Sequence, residues 1–279
     1  MNAPDTILVE DRGSTRWIWF NRPEVHNAQN TSMLEALSDA LADTARNREV
    51  RVLVIAGKGR SFSSGHDLRE INKHPGYRAA VETVEGRRDW EERYFVRPVK
   101  MLRDLPIPTI SRVQGPCVAA GLMFACATDL AVAGPGASFA SPIIARMGIN
   151  DTEVPALSWV LGERRAKQAL WLDDKIGADE ALLLGLVNWV VADSELDSFV
   201  EELAERLTRV GREVLALSKS SFHFLAQRRG WDDFAAFHFA SHSLSHHTAE
   251  ARHMLARRLE RVDSGSSAVE GIEPPPITE

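Results

Sequence analysis

Residues 108–148 read PTISRVQGPCVAAGLMFACATDLAVAGPGASFASPIIARMG. Two apolar, β-branched runs, Thr109 to Val113 and Leu130 to Ala133, bracket Gly115-Pro116-Cys117-Val118-Ala119-Ala120-Gly121 and a small-residue stretch from Leu122 to Thr128. Strand, tight turn, helix and strand in that order make a βαβ unit. The turn opens a helix, whose first amides lack intrahelical acceptors and carry partial positive charge. A developing oxyanion can be held there. A second turn of small residues lies upstream, at Phe62-Ser63-Ser64-Gly65-His66-Asp67-Leu68, shortly after the buried-strand pattern Arg51 to Ala56.

Outward from this centre, Ile7 to Val9 and Trp17 to Phe20 flank Asp11-Arg12-Gly13-Ser14 and predict a β-hairpin. A polar loop, Asn21 to Asn30, leads into a helix with Met33, Leu34, Leu37 and Leu41 at helical spacing; Ser32 and Glu35 read as its capping box. Glu70 to Lys100 is strongly charged, contains Pro75-Gly76 and several aromatics, and is read as a mobile helical lid or as a solvated connecting helix. Further on come short helices around Gly162, a helix from Ala178 to Leu184 and a strand from Leu186 to Val191. Three helices close the chain: Ser194 to Leu207, Arg212 to Gln227 and Trp231 to Val262. The predicted organisation is a mixed α/β core over 1–193, a helical region over 194–262 and a disordered Gly/Ser/Pro-rich tail over 263–279.

Composition limits the function classes. A 279-residue chain with 44% hydrophobic and 26% charged residues is that of a globular protein. A net charge of −6 argues against a dedicated nucleic-acid binder. No apolar run approaches the roughly 18 residues of a membrane span, and the first residues lack the layout of a signal peptide. Cys117 and Cys126 both fall in the apolar βαβ unit and read as buried thiols of a reducing compartment, so a cytoplasmic location is expected.

Five segments in this order resemble the crotonase, or enoyl-CoA hydratase/isomerase, superfamily. They are NRPEVHNA (21–28), VLVIAGKGRSFSSGHDL (52–68), LPIPTISRVQGPCVAAGLMFACATDLAVA (105–133), VLGERRAKQALW (160–171) and ADEALLLGLVNWVV (178–191). The resemblance covers roughly residues 5 to 262. It implies an α/β spiral of ββα units with a helical C-terminal trimerisation region, assembled as a homotrimer or a dimer of trimers. The implied substrate is an acyl-CoA thioester, with coenzyme A entering as part of the substrate and no resident cofactor. By motif position the thioester oxygen would sit between the backbone amides of His66 and Ala120; the His66 imidazole is either a spectator or projects to the adenine side, the acyl side or solvent. Val25, Ala28, Ser64, His66 and Leu68 would line the coenzyme A path, with Arg22 near the phosphates. Arg252, Arg257, Arg258 and Arg261 would reach a neighbouring subunit's phosphates or form a solvated helix face.

The departures from the family pattern narrow the chemistry. Hydratases of the family carry two glutamates at positions that here hold Met123 and Ile143. General acid–base groups contribute roughly 10²–10⁴ each in rate, so standard hydration is not expected. Asp151, in GINDT, resembles the aspartate that family isomerases use to move a proton and that aryl-CoA dehalogenases use as nucleophile; Glu153 is an alternative on the same loop. The dehalogenase histidine would fall near Val96, and no histidine occurs between His74 and His223, which disfavours dehalogenation. Met123, Ile143 and Ile144, with Trp90, Glu91, Glu92, Tyr94 and Phe95 of the charged segment, are expected around the acyl group. His238, His242 and His246 share one helical face, with His247 beside them. No carboxylate in sequence completes a metal set there, so an interface or core role is expected instead. The expected activity is isomerase-like enolate chemistry. The alternatives are thioester or β-keto C–C hydrolysis and coenzyme A binding without chemistry.

Overall fold

The computed structural model describes residues 5–263. Six strands form the main sheet: β1 (Ile7–Arg12), β2 (Thr15–Phe20), β3 (Val52–Gly57), β4 (Thr109–Val113), β6 (Leu130–Ala133) and β9 (Trp189–Val190), in that spatial order. The β1–β2 pair is antiparallel; every later pairing in the sheet is parallel. A second sheet of three short strands, β5 (Pro116–Val118), β7 (Ser138–Ala140) and β8 (Ile176–Gly177), lies in the order β5-β7-β8. With the intervening helices these strands make repeated ββα units, as the resemblance implied.

Strand β2 explains why the sheet sits at the centre. Every residue of TRWIWF is buried, because both faces of the strand are covered. Ile18 and Phe20 join Leu53, Ile55 and Phe124 in a core that takes Met33, Leu34, Leu37 and Leu41 from the Thr31–Arg46 helix. Trp17 and Trp19 point the other way, with Val52, Val54 and Ile110, onto Leu196, Val200 and Leu203 of the Leu196–Thr208 helix. That helix therefore covers one face of the sheet. The compositional change near residue 193 does not coincide with a break in the core.

Several local expectations need correction. The Thr31–Arg46 helix is capped by Asn30, whose side chain accepts from the Met33 amide at 3.0 Å; Ser32 already lies in the first turn. The central small-residue helix starts at Ala120, two residues earlier than its composition suggests, and the preceding Pro116–Val118 is a strand. The long C-terminal helix is two, Trp231–Ser245 and Ala249–Asp263. The strand expected over 186–191 shortens to Trp189–Val190. Of the tail expected to be disordered, Asp263 ends the last helix and the rest lies outside the described residues. Among the described residues, no helix is long and apolar enough to cross a membrane.

Candidate active site

The two small-residue turns meet. Ser63 pairs in parallel with Cys117, and the Val118 amide donates to Ser63 O at 2.9 Å. Gly65 has φ +90°, and an ideal Cβ there would stand 3.2 Å from the Ala120 nitrogen. Ala119 holds φ 49°, a conformation L residues rarely adopt, and so turns the chain into the helix that begins at Ala120. As the first helical residue, Ala120 has no intrahelical acceptor for its N–H. The amides flanking His66 are engaged: Gly65 donates to Ser63 Oγ and Asp67 to Gln29 O.

The NRPEVHNA loop braces this junction. Asn27, fully buried at φ 55°, accepts from the Arg22 amide and donates to the carbonyls of Lys58, Ser61 and Phe62. Ser64 donates its amide to His26 O and its hydroxyl to Val25 O, and the Ala28 amide donates to the same Val25 carbonyl. Arg22 is not displayed to a phosphate. Its guanidinium is held by Ala28 O (2.6 Å), Asp67 (2.8 Å) and Glu70 (2.7 Å), so it ties the loop to the Leu68–Ile71 helix.

A cavity of ≈ 180 Å³ opens beside the junction, and Ser64, His66, Leu68, Ala120, Ile143, Asp151 and Glu153 all line it. Arg258 lines the same cavity of its own chain, whereas Arg252 and Arg257 are exposed. A second cavity of ≈ 320 Å³ is bordered by Met123, Cys126, Trp159 and Phe239 and shares Glu153 with the first. Trp90 and Tyr94 line neither. They pack on each other at 4.3 Å, Trp90 against Tyr77, with the Tyr94 hydroxyl donating to Glu35. Ile144 packs into the main core instead. Tyr77 and Phe95 are the aromatics that face the first cavity, Phe95 from a π-helical turn at Glu92–Val96. The His66 ring stacks on Phe95 at 3.8 Å between centroids, so this imidazole is turned inward.

The 149–153 loop carries the buried acids. Asp151 stands at φ 52° and accepts from Ser141 Oγ at 2.5 Å. Burial pushes its carboxyl up to about 6, against the opposing effect of the Ser141 hydrogen bond. Burial works on Glu153 in the same direction, but the His66 and His242 imidazoles more than offset it and hold this carboxyl below its usual range. His66 Nε2 lies 3.5 Å and His242 Nε2 3.7 Å from Glu153. The histidine face of the Trp231–Ser245 helix clamps this loop: His238 Nε2 donates to Thr152 O at 2.8 Å and His242 Nδ1 to Asp151 O at 3.0 Å. Asn150 adds bonds to Ser241 and Ser245.

Of the acids expected around the acyl group, Glu91 reaches the first cavity. Glu91, 1% exposed, ends the Val84–Glu91 helix with Oε2 3.5 Å from His242 Nε2 and Oε1 3.7 Å from His246 Nε2. Burial disfavours charge on His242, yet the adjacent carboxylates of Glu91 and Glu153 raise it to about 9. Nothing in the local run RRDWEERYF separates Glu91 from its exposed neighbours. The signal that could have singled it out is spacing: Arg87, Glu91 and Phe95 stand four residues apart and are all buried.

The enoyl-CoA hydratase/isomerase family profile matches residues 10–262. EchA13 of Mycobacterium tuberculosis is 33% identical over 249 residues, covering 85% of this chain and 78% of that protein. The human mitochondrial enoyl-CoA hydratase domain-containing protein 3 is 31% identical, over 80% of this chain and 71% of its own length. An Arthrobacter 4-chlorobenzoyl coenzyme A dehalogenase-2 is 31% identical, over 78% of each chain. Among solved structures, a probable enoyl-CoA hydratase of Mycobacterium smegmatis superposes with a TM-score of 0.80 at 33% identity, covering 86% of this chain and 94% of that one. The mitochondrial relatives overturn the cytoplasmic assignment. Free thiols distinguish reducing from oxidising surroundings, but they do not separate one reducing compartment from another. The profile match across nearly the whole chain, with identity and fold similarity of this extent, makes this chain a member of the enoyl-CoA hydratase/isomerase family.

Proposed function

We propose that this enzyme moves a proton at carbon in an acyl-CoA thioester through an enolate, in the manner of an isomerase. The observation that carries the reading is the meeting of the two turns at Gly65 and Ala120 beside the buried carboxyls of Asp151 and Glu153 in one cavity. In this reading the amides of His66 and Ala120 receive the thioester oxygen. Each such preorganised donor contributes on the order of 10²–10³ in rate. An ionised carboxylate removes a proton from the carbon next to the carbonyl, the electron pair moves onto the held oxygen, and the carboxyl returns the proton at the γ-carbon. Asp151, near 6, suits a group that both takes and gives a proton around neutrality. Glu153, held ionised by imidazoles, suits a base.

Met123 and Ile143 bring no carboxylate to the two hydratase positions, so water addition by a glutamate pair has no support at those sites. The mostly apolar larger cavity, sharing Glu153 with the first, offers the acyl group room. Self-association as a trimer, or a dimer of trimers, belongs to the same reading. The Arg212–Arg228 helix has no buried residue and exposes Leu217, Phe222 and Phe224.

The test is exchange of the α-protons of a panel of acyl-CoA thioesters in D2O, followed by mass spectrometry and NMR. Exchange with double-bond migration is expected, with a loss of roughly tenfold or more on Asp151→Asn. Release of free coenzyme A thiol without exchange would assign hydrolysis instead. Chloride release from a chlorobenzoyl thioester would assign dehalogenation. Ligand-induced stabilisation with no conversion of any thioester would leave a binding protein.

A further inference from the structure

We propose that Glu91, His242 and His246 form a site for a divalent transition metal of the zinc class, in the wall of the cavity lined by His66, Ala120 and Asp151. The three side chains come from two elements. Glu91 ends the Val84–Glu91 helix; His242 and His246, one helical turn apart, stand at the end of the Trp231–Ser245 helix. Their ligand atoms all lie within 4.8 Å of one another. The two Nε2 atoms are 3.2 Å apart, and the carboxylate oxygens of Glu91 lie 3.5 Å and 3.7 Å from them. Ligands about 2.0 Å from a tetrahedral ion are separated by roughly 3.3 Å, so these spacings fit such an ion with small side-chain adjustments.

Two further observations point to a cation. His242 Nδ1 donates to Asp151 O, which leaves Nε2 facing Glu91 and His246, where a cation displacing its proton would meet the lone pair; an imidazole tied by its other nitrogen to a backbone carbonyl is the usual arrangement of a metal-bound histidine. Glu91 Oε2 is buried without a hydrogen-bond partner, while Oε1 accepts from Arg87 Nη1 at 3.3 Å. Glu153 brings a second buried carboxylate to within 3.7 Å of His242, so Glu91 and Glu153 balance Arg87 and the Arg258 that lines the same cavity. Two imidazoles and one carboxylate suit zinc and its first-row neighbours better than calcium or magnesium. Three protein ligands leave a coordination position for water or a polar group of a substrate.

The experiment uses tag-free, full-length protein stripped with a chelator. Zinc uptake is measured by equilibrium dialysis with elemental analysis, and cobalt(II) is added as the spectroscopic probe. One zinc per chain is expected, with the intense visible bands of four-coordinate cobalt and paramagnetically shifted imidazole signals from two histidines. Glu91→Gln, His242→Gln and His246→Gln should each weaken uptake beyond the roughly 10–100-fold typical of outer-shell losses, while His238→Gln leaves it unchanged. No uptake at micromolar free zinc overturns the site, and leaves the two nitrogens sharing a proton instead. Uptake that survives all three substitutions overturns it too, placing the ion elsewhere. Should a variant misfold, the wild-type cobalt spectrum decides alone: absence of two shifted imidazoles refutes the assignment. None of these readouts involves turnover, so the outcome is independent of the isomerase reading.

Discussion

Gly121→Ala reaches the catalytic proposal through packing alone. An ideal Cβ at residue 121 stands 2.6 Å from Ser63 O and 3.0 Å from Ser63 Cβ, where ordinary contact begins at 3.4 Å. The two turns must therefore separate by about 0.8 Å, the difference between 3.4 and 2.6 Å. Ser63 has little freedom to retreat: its carbonyl accepts from Val118 N at 2.9 Å, and its hydroxyl is tied to Asn27 O and Gln29 Nε2. Misplacement of a reacting centre by about 1 Å costs on the order of 10² in rate. Stability should change less. Replacing glycine in a helix gains about 1 kcal/mol, and overpacking costs roughly 1–3 kcal/mol, leaving a net loss of at most about 2 kcal/mol. At roughly 2–4 °C per kcal/mol for a chain of this size, the melting temperature should fall by no more than about 8 °C. The assay pairs α-proton exchange of a thioester in D2O with thermal unfolding. Gly136→Ala is the control, because a Cβ there meets nothing within 4 Å. A folded Gly121→Ala enzyme exchanging at the wild-type rate would refute the role given to the junction.

Three other perturbations separate the remaining roles. Asp151 binds its proton more tightly in the native state, with a pKa raised from 3.8 to about 6. In chelator-treated protein its contribution to stability should therefore fall as pH rises through that window and level off above it. Asp151→Asn removes that titration, so by denaturant unfolding the variant should gain on the wild type by up to about 3 kcal/mol above pH 7 and by nothing near pH 3.5; a pH-independent difference would sink the assignment. Arg22→Ala leaves Asp67 and Glu70 without their cation and frees the 25–28 loop; urea unfolding should show a loss of about 2–3 kcal/mol, below the full cost for a buried pair because Glu70 is half exposed. Leu217→Glu puts a charge on the exposed apolar face of the Arg212–Arg228 helix and should shift the mass by light scattering from oligomer towards monomer, with the far-ultraviolet circular dichroism unchanged.

The order of strands and helices was legible because local pattern carries it. Thr109 to Val113 and Leu130 to Ala133 are β-branched runs between turn residues, and both are strands at those limits. The two small-residue turns were legible for a similar reason: close approach of one backbone to another admits only small side chains, and Gly65 and Gly121 mark it in the sequence. Local pattern misled where a partner lay far along the chain. Arg22 looked available to a phosphate because Asp67 and Glu70 are more than forty residues away in sequence, and only folding brings them to its guanidinium. Trp90, Tyr94 and Phe95 all looked like pocket residues, but the π-helical turn at Glu92–Val96 directs Phe95 to the cavity and leaves Trp90 against Tyr77 and the Tyr94 hydroxyl on Glu35.

Period and side-chain size are properties of neighbouring residues, so the amino-acid sequence by itself settled the strand–turn–helix succession, the family and the two turns that meet at Ser63 and Gly121. Charge and burial depend on what arrives from elsewhere in the chain. Only the tertiary structure decided that Asp151 is buried against Ser141, that Glu153 faces His66 and His242, and that Glu91 stands beside two histidines some 150 positions downstream.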